Sequence, residues 1–402
     1  MRPRVTTLLS ESSAWRFVIL LGLVSLFADA TYEGARSIVG PYLALLGAGG
    51  TVVGAVAGLG ELIGYALRLV SGYASDRTRR YWALTIGGYA LNVLAVPLLA
   101  LAGTWPLAAA LIVAERVGKA VRTPARDAML SYATGRVGRG WGFGFHEAMD
   151  QIGALFGPLL VAVALGVWGG YAPAFALLAV PALLTLAALG LAYRLYPNPQ
   201  ELEPTTPSLH AKGLGRAYWL YLAAVVLVAA GYADFPLIAY HVQRNELLPI
   251  AWVPLLYALT MGVDALAALL FGRWFDRRGL SVLMVAASLS ATCVPLAFSG
   301  NAVVVVGGMV IWGVGMGAQE SVLRAAIATM TPQGRRGSAY GLFNAGFGLA
   351  WFLGSLLMGV LYDRSLPALI LFSVAAQLAS VPLFFLVGRQ VGAPGAPGAT
   401  DT

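Results

Sequence analysis

The stretch SGYASDRTRR (residues 71–80) decides the fold, because it recurs two hundred residues later as FGRWFDRRGL (residues 271–280). Each copy ends a long apolar run and holds glycine, aspartate and arginine at the same spacing. The matching residues are Gly72, Asp76 and Arg77 in the first copy and Gly272, Asp276 and Arg277 in the second. A charged cluster kept at one register in both halves indicates a duplicated unit.

A second pair of segments supports the duplication. Residues 140–158 align with residues 337–355, and three glycines coincide in the alignment. The coinciding pairs are Gly140 with Gly337, Gly144 with Gly341, and Gly157 with Gly354. Internal repeats of this kind in a membrane protein are typical of transporters.

The composition places most of the chain in a membrane. The chain has 402 residues, of which 59% are hydrophobic and 11% are charged, whereas an ordinary soluble domain has roughly 25% charged residues. The net charge of +8 does not indicate a nucleic-acid partner, because the basic residues lie in short connections between apolar runs. The single cysteine, Cys293, excludes a disulfide framework and a thiolate metal cluster within one chain.

Twelve apolar runs approach the ~20 residues that a helix needs to span a bilayer. They predict an all-α integral membrane protein of two pseudo-symmetric six-helix bundles. The runs lie near residues 16–43, 50–73, 82–103, 105–128, 141–165, 172–194, 216–242, 250–272, 280–299, 302–327, 338–361 and 367–388. The predicted domains are a first bundle at 1–195, a proline-rich cytoplasmic linker at 196–215, a second bundle at 216–390 and a disordered tail at 391–402.

The basic residues predict the orientation of the chain. Arginine and lysine occur at the termini and in alternate connections, such as residues 77–80 and 277–278, while the connections at 47–51 and 299–302 have none. Because cytoplasmic connections carry the excess of Lys and Arg, we expect a multi-pass protein of the inner membrane with both termini in the cytoplasm. The first apolar run is too long for a cleavable signal peptide and is interpreted as the first span.

The twelve runs, the repeat and the spacing Gly-x-x-x-Asp-Arg-x-x-Arg together resemble the major facilitator superfamily of secondary transporters. The resemblance covers the whole chain apart from its tails. It implies two bundles that rock to give alternating access to a central site. The residues that match the family's cytoplasmic loop motif are Gly72, Asp76, Arg77 and Arg80, with Gly272, Asp276 and Arg277 in its weaker second copy.

Two further motifs resemble the drug/proton antiporters of that superfamily. Arg116, in the fourth span, resembles a buried arginine associated with proton coupling. Gly153, Gly157 and Pro158 resemble part of the antiporter motif of the fifth span, although the closing glycine pair of that motif is absent. The fourth and fifth spans are also similar to a bacterial branch that includes nickel-resistance exporters.

The repeated loop motif has a physical interpretation of its own. A carboxylate at Asp76 can accept bidentate hydrogen bonds from arginine and bind the positive end of a neighbouring helix. Because such contacts form in one arrangement of the halves and break in the other, we interpret Asp76 and Gly72 as a conformational latch. The alternative for Arg77, Arg79 and Arg80 is that they only fix the topology.

Charged residues inside the spans are candidates for substrate binding or proton coupling, since each costs roughly 2.5–3.5 kcal/mol at the bilayer centre. In the first span Asp29, Glu33 and Arg36 share one helical face. Asp29 and Glu33 are predicted to line the cavity, and the alternative for Glu33 is an ion pair with Arg36 at its mouth. In the second span Glu61 lies near mid-membrane.

The fourth span holds the densest set of charges. Glu115 and Arg116 lie near its middle, and adjacent residues on a helix point about 100° apart. We therefore expect each of them to pair with another span rather than with the other. A central arginine near carboxylates suits proton coupling. Lys119, Arg122 and Arg126 are expected to contact lipid headgroups or loops.

The fifth span places His146 and Asp150 one turn apart, with Glu147 on the adjacent face. Since imidazole titrates near neutral pH, the pair is interpreted first as a proton relay or substrate contact. A hydrogen-bonded packing pair is the second interpretation. A divalent-metal site is the third, and it requires donors from other spans, such as Asp29 or Asp234.

The second half of the chain has fewer deep charges. Asp234 lies toward the outer end of the seventh span, before Pro236, which removes a backbone donor and favours a bend at a gate. Aromatic residues are frequent in the seventh and eleventh spans instead. A cavity that is polar on one half and apolar on the other suits amphiphilic or cationic organic solutes better than sugars.

The phosphate-binding, serine-hydrolase and metalloprotease motifs GxxxxGK[ST], GxSxG and HExxH do not occur in the sequence. The sequence therefore predicts a monomeric secondary carrier, not an enzyme, without cofactor or resident metal, which exports a small amphiphilic or cationic solute in exchange for protons. Uptake of an organic solute and export of a divalent metal are the alternatives among carriers. A channel or sensor is the alternative outside them, and the repeated latch argues against a passive pore.

Overall fold

The computed structural model describes residues 11–137, 139–198, 215–323, 326–327, 330 and 336–391. Within these ranges the chain is helical almost throughout and contains no β-strand. The predicted all-α class is therefore confirmed. Most of the predicted linker and all but the first residue of the predicted tail lie outside the described residues.

Six helices precede the predicted linker. A 3₁₀ turn, Leu99–Leu101, extends the third of them, and the sixth is interrupted at Leu178. In chain order they are α1 (Glu11–Leu45), α2 (Gly50–Thr78), α3 (Tyr81–Leu98), α4 (Trp105–Val137), α5 (Arg139–Trp168) and α6 (Tyr171–Leu177 with Ala179–Leu195).

Six more helices follow the linker, which brings the described part of the chain to the predicted twelve. The fourth of them continues as a π-helical turn, Gln319–Leu323. In chain order they are α7 (Arg216–Gly231 with Phe235–Arg244), α8 (Trp252–Arg278), α9 (Ser281–Ala291 with Cys293–Ala297), α10 (Ala302–Ala318), α11 (Arg336–Arg364) and α12 (Leu366–Val391).

Ten of the described helices are long and apolar enough to cross a membrane. α9 is apolar but short, and α4 is not among the ten. α4 carries six charged residues between positions 115 and 127, which lowers its hydropathy. The long helix that is not apolar enough to count among the ten is therefore the one with the densest set of charges.

α7 breaks at residues 232–234, where the sequence predicts a continuous span at 216–242. Pro236 explains the break, because a proline is accommodated in the first turn of a new helix, where its missing N–H is not needed. Asp234 has an extended backbone (φ −76°, ψ 143°) and begins that helix. Its carboxylate accepts a hydrogen bond from Nε1 of Trp351 on α11 (3.3 Å).

The chain forms two compact units. The first unit contains residues 1–42, 66–207 and 250–258, and the second contains residues 43–65, 208–249 and 259–402. α2 and α8 each contribute one part to each unit. The predicted division into two bundles at the linker stays a prediction.

In the first unit α5 packs on α1 through glycines. A Cβ on Gly153 would meet the carbonyl oxygen of Leu26, and one on Gly157 would meet the carbonyl oxygen of Ala30 and, at 2.8 Å, the amide nitrogen of Gly34. Such close backbone approach requires glycine, and it is how helices commonly associate in lipid. The glycines of the predicted antiporter-like motif thus set the position of α5 against α1.

The same contact occurs in the second unit. A Cβ on Gly354 of α11 would meet the carbonyl oxygen of Ala230 on α7. Gly354 is the sequence counterpart of Gly157, and Ala230 lies two hundred residues after Ala30. The aligned glycines of the repeat therefore have the same packing role in each unit, which supports the duplication.

Close packing also joins α3 to α4. A Cβ on Gly88 would meet the backbone nitrogen of Arg122 at 2.6 Å, and one on Gly118 would meet the carbonyl oxygen of Gly88 at 2.7 Å. An apolar cluster that includes Phe17, Tyr89 and Met129 fills the space between α1, α3 and α4. These contacts hold the charged face of α4 against α1.

Candidate functional site

Side chains of α1 and α4 face each other in three contacts, which we call the charged ladder. Its residues on α1 follow an i, i+4, i+7 spacing and so share one helical face, and their partners on α4 follow in reverse order. The three pairs are Ser25 with Arg126, Asp29 with Arg122, and Tyr32 with Lys119. The ladder surrounds the predicted Asp29 with basic residues.

Arg122 is the most deeply buried charged member of the ladder, with 1% of the residue exposed. Its Nη2 lies 3.8 Å from Oδ1 of Asp29, a distance that exceeds that of a direct hydrogen bond. Its guanidinium carbon lies 4.1 Å from the centre of the Tyr89 ring on α3. The cation is thus held between a carboxylate and an aromatic face.

Arg126 connects the ladder to α5. Its Nη1 donates to Oγ of Ser25 (2.8 Å) and lies 3.8 Å from Oδ2 of Asp150. Its Nε and Nη2 contact Oδ1 of the neighbouring Asp127 at 2.9 and 2.8 Å. One guanidinium therefore joins groups on α1, α4 and α5.

His146 lies beside Arg126 and is buried. Its Nε2 is 3.0 Å from Oγ of Ser25, and its Nδ1 is 3.5 Å from Oδ1 of Asp150. The structure thus brings the predicted pair of His146 and Asp150 to the end of the charged ladder. Both imidazole nitrogens face groups that can exchange protons.

Glu115 and Arg116 contact each other directly, which makes the predicted separation of this pair wrong. Nε of Arg116 lies 3.1 Å from Oε2 of Glu115. The two side chains leave the helix in different directions, but the long arginine side chain bends back to its neighbour. Asn92 of α3 completes the group by donating to Oε1 of Glu115 at 2.7 Å.

Glu33 is buried one turn beyond Asp29 on α1. Its Oε2 accepts a hydrogen bond from the hydroxyl of Tyr257 (2.5 Å), which lies in segment 250–258 of the first unit. Its Oε1 lies 3.9 Å from Nη1 of Arg36, so the predicted ion pair on α1 forms as well. No feature of the sequence indicates the tyrosine partner.

Lys119, Arg122 and Arg126 were expected to contact headgroups or loops, and this expectation is wrong. Arg122 and Arg126 are both buried, and the ammonium of Lys119 lies 3.8 Å from the centre of the Tyr32 ring. Their spacing of three and four residues could have shown that they share a face of α4. What it could not show is that this face turns toward α1.

Three more predicted site residues, Glu147, Glu61 and Asp234, do not belong to the charged ladder. Glu147 is exposed on α5, where Nε2 of Gln151 lies 3.5 Å from its Oε1. Glu61 and Asp234 belong to the second unit. There Asp234 adjoins an aromatic group on α7, α10 and α11 that consists of Tyr232, Trp312, Phe347 and Trp351.

The predicted latch falls partly outside the described residues. Nothing is described of the side chains of Asp76 and Asp276. A Cβ on Gly72 would lie 3.6 Å from Pro124 of α4, so α2 passes close to α4 there. The arginines of both copies are exposed; they are Arg77, Arg80 and Arg277. Arg77 donates to the hydroxyl of Tyr73 on its own helix (3.2 Å).

A carboxylate that the sequence analysis did not single out caps α2 in the second unit. Oδ1 of Asp363 on α11 accepts from the backbone N–H of Gly50 (2.9 Å), and its Oδ2 accepts from the N–H and the hydroxyl of Thr51, both at 2.7 Å. A negative charge at this position satisfies free N–H groups and interacts favourably with the helix dipole. Asp363 therefore ties α11 to the start of α2.

Replacing Asp363 with asparagine is expected to destabilise the folded protein by about 0.5–2 kcal/mol, because the charge at the helix N-terminus and one acceptor are lost. The measurement is the melting temperature of the purified protein at a fixed heating rate. Thr51→Val is the matched control, since it removes the hydroxyl contact and leaves both backbone contacts. Equal melting temperatures for Asp363→Asn and the unmodified protein would contradict the role of the carboxylate.

Within the described residues no group of three or more His, Cys, Asp or Glu could hold a metal ion. The described residues do provide a buried cluster of carboxylates and basic side chains. It contains His146 and Asp150 on α5, Arg126 and Arg122 on α4, and Asp29 on α1. The carboxylates and the imidazole of such a cluster can take up and release protons, and the arginines stabilise the charged carboxylates.

Comparison with known proteins identifies relatives over the whole chain. A family model described as Major Facilitator Superfamily matches residues 18–245 and 220–401. An uncharacterised protein of Mycobacterium tuberculosis (strain ATCC 25618 / H37Rv) is 46% identical over 391 residues, which cover 95% of each chain. An uncharacterised MFS-type transporter of Methanocaldococcus jannaschii is 27% identical over 384 residues, 92% of this chain and 94% of the relative.

Solved structures of transporters share the fold. The crystal structure of the peptide transporter POT in complex with sulfate covers 94% of this chain and 95% of its own, with a TM-score of 0.76 and 15% sequence identity. At that identity the likeness shows the fold alone. The matched family and its structural neighbours are transporters and not enzymes.

Proposed function

The chain belongs to the Major Facilitator Superfamily and is a membrane transporter of that type, and we propose that it couples export of a small amphiphilic solute to inward proton movement by alternating access. The observation that carries this proposal is the buried pair of Asp29 and Arg122. Two charges inside a membrane protein are costly. At 3.8 Å the contact between them is too long to repay that cost as a structural ion pair.

Proton coupling follows from the chemistry of this pair. Protonation of Asp29 removes its negative charge and releases the Arg122 guanidinium, while deprotonation restores the attraction. A group that changes partner with its protonation state can bias a two-state equilibrium. Asp29 is thus the acid that carries the proton in this proposal, and Arg122 is the group that senses it.

The remaining members of the cluster provide further titratable groups near Asp29. Asp150 contacts Arg126 and His146, and Ser25 contacts the same two side chains. Protons can therefore enter at His146 and Asp150, whose charge acts on Asp29 electrostatically, because the arginines stay charged and pass no proton. This assignment keeps the relay as the first interpretation of His146.

Replacing His146 with glutamine is expected to flatten the pH dependence of transport between about pH 5 and pH 8, because glutamine forms hydrogen bonds but does not titrate. The measurement is the initial transport rate in proteoliposomes over that range. Ser25→Ala is the control, since it removes the partner of Nε2 and keeps the imidazole. An unchanged pH profile in His146→Gln would leave His146 as a packing residue.

The same variant tests the export of a divalent metal, which the sequence leaves open as a third candidate after uptake of an organic solute. A metal ligand must be a deprotonated imidazole, so metal binding weakens as the pH falls. If Ni²⁺ raises the melting temperature of the unmodified protein at high pH and not that of His146→Gln, the metal alternative replaces the relay. If Ni²⁺ stabilises neither protein, the metal alternative is rejected, and the pH profile decides between relay and packing.

The latch and the orientation complete the proposal. The repeated motif with Asp76 and Asp276 is proposed to hold one conformation of each half at the cytoplasmic ends of α2 and α8. The excess of arginine in alternate connections supports cytoplasmic termini and an inner-membrane location. The protein is proposed to act as a monomer with the lipid bilayer and a small solute as its partners.

The experiment that tests the function begins with a thermal-shift screen of the purified protein against organic acids, amines, nucleosides and Ni²⁺, because a ligand of the folded state raises its apparent stability. Stabilising compounds are then loaded into proteoliposomes that contain a pH-sensitive dye. Solute movement accompanied by a pH change supports proton coupling. Solute movement without a pH change rejects it, and reversal of the gradient separates export from uptake.

A further inference from the structure

Arg122 holds unused hydrogen-bonding capacity in the interior of the first unit. A guanidinium carries five N–H donors. Among the described residues, the Nε and Nη1 atoms of Arg122 have no hydrogen-bond partner, although the residue is 1% exposed. A buried charge with unmet donors is costly and indicates a partner that is bound for only part of the cycle.

The aromatic neighbours hold the cations without using their donors. The Tyr89 ring contacts the face of the Arg122 guanidinium at 4.1 Å, and the Tyr32 ring lies 3.8 Å from the Lys119 ammonium and 5.9 Å from the Arg122 guanidinium carbon. Cation–π contact fixes the position of a charge and leaves its N–H groups available. Two cations are therefore positioned around one tyrosine ring.

The carboxylates near this ring have other partners, apart from Asp29. Glu33 contacts Arg36 and Tyr257, Glu115 contacts Arg116 and Asn92, and Asp127 and Asp150 contact Arg126. Among the described residues Asp29 is the carboxylate in ion-pair range of Arg122, and its 3.8 Å contact with Nη2 leaves Nε and Nη1 without an acceptor. The site therefore has free donors for a further anionic group.

We infer that Arg122, with Lys119 beside it, binds a carboxylate group of the transported solute, and that this carboxylate competes with Asp29 for the guanidinium. The inference rests on the proposed function and assigns the class of its substrate as an amphiphilic monoanion rather than a cation. When the solute carboxylate takes the place of Asp29 on Arg122, Asp29 is left without its cation and accepts a proton. Departure of the solute reverses both steps. Solute and proton are then bound together and cross the membrane in the same direction, so this coupling favours the uptake alternative over exchange for protons.

A carboxylate suits this position better than a phosphate. The planar guanidinium binds a carboxylate in bidentate geometry, and a solute carboxylate would replace the carboxylate of Asp29 one for one, with the same single charge. The titratable groups that interact with Arg122 are Asp29 and Tyr32 on α1, Tyr89 on α3, Glu115 on α4, and His146 and Asp150 on α5. Of these, Asp29 is the carboxylate within 4 Å of the Arg122 guanidinium.

The test measures binding to the full-length purified protein by thermal shift, in buffer without phosphate or sulfate. The probes are phenyl, indolyl and naphthyl acetates, each with the matched amide and ethylamine, and phenyl phosphate. At least one carboxylate is expected to stabilise the unmodified protein, and its amide and amine are not. Arg122→Gln is expected to weaken that binding by about tenfold or more, as for loss of a hydrogen-bonded charge pair.

Asp29→Asn is expected to change the affinity for the carboxylate in the opposite direction to Arg122→Gln. A purely structural role of Asp29 would not produce this increase. Because the competitor of the solute is removed, the affinity for the carboxylate is expected to rise several-fold. Arg122→Lys keeps the charge without the planar fork and is expected to bind with intermediate affinity. Arg278→Gln, at an exposed arginine of α8, is the matched control and is expected to bind like the unmodified protein.

Several outcomes overturn the inference: no carboxylate in the set stabilises the protein, an amine or phenyl phosphate binds better, or Asp29→Asn weakens binding. If Arg122→Gln does not fold, the increase in carboxylate affinity expected for Asp29→Asn still tests the inference. Failure of the proposed function can be distinguished from failure of this inference. Carboxylate binding that depends on Arg122 without any proton movement keeps the inference and rejects coupling, whereas proton-coupled transport of a cation rejects the inference and keeps coupling.

Discussion

Asparagine at position 29 is expected to abolish concentration of the solute against its gradient while sparing solute exchange across the membrane. Asn keeps the shape of the Asp29 side chain, which is 6% exposed, but carries no proton that can be released to either side. Transport without a coupled ion then only equilibrates the solute. This is the largest functional effect that we expect from a single substitution.

The measurement uses proteoliposomes with an imposed pH gradient. Uphill accumulation is followed first, and counterflow of labelled solute is followed without the gradient. Glu246→Gln, an exposed acidic residue in the connection after α7, is the matched control and is expected to retain both activities. If Asp29→Asn still accumulates solute when the pH gradient is the sole driving force, the coupling carboxylate lies elsewhere, with Asp150 the next candidate.

The second large effect is expected from Gly157→Ala, which adds one methyl group between α5 and α1. Its Cβ would meet the carbonyl oxygen of Ala30 and lie 2.8 Å from the amide nitrogen of Gly34. Both are backbone atoms, so relief requires α5 to move away from α1. Overpacking of this kind costs typically about 1–3 kcal/mol, and here it also displaces the helix that carries His146 and Asp150.

Gly166→Ala on the same helix is the matched control, because no atom lies within 4 Å of the position that its Cβ would take. There the substitution is expected to be neutral or to stabilise, since alanine favours helix formation over glycine. Melting temperatures measured at one heating rate, together with the yield of folded protein, compare the two variants. A Gly157→Ala protein as stable as Gly166→Ala would show that the contact with α1 is not tight.

The positions of the repeated motif, the apolar runs and the glycines in the sequence were sufficient to predict several elements of the fold. The repeat of Gly72–Arg77 at Gly272–Arg277 and the twelve apolar runs predict twelve helices, and the described residues contain them. The glycine alignment predicts equivalent roles for Gly157 and Gly354, and a Cβ on either would meet a backbone carbonyl oxygen, that of Ala30 on α1 or that of Ala230 on α7. These features depend on composition and spacing, which hydrophobic burial and backbone sterics translate directly into structure.

The candidate site was predictable only in part. Asp29, His146 and Asp150 were selected because a charge inside a span is costly, and the structure places all three at the charged ladder. Glu147 was selected by the same rule and is exposed. The rule identifies residues whose burial would require an explanation. Whether one side of a helix is buried or exposed depends on the neighbouring helices, which the rule does not consider.

Three features follow from the sequence: the repeated pattern of membrane helices, the residues that share a helical face, and the charges that require partners. The identity of those partners follows from the tertiary structure. Arg122 contacts Asp29 and Tyr89, Arg126 contacts Ser25 and Asp150, and Arg116 turns back to Glu115. Helical periodicity fixes the angle between residues on one helix, whereas the rotation of that helix toward its neighbours follows from packing distributed over the whole unit.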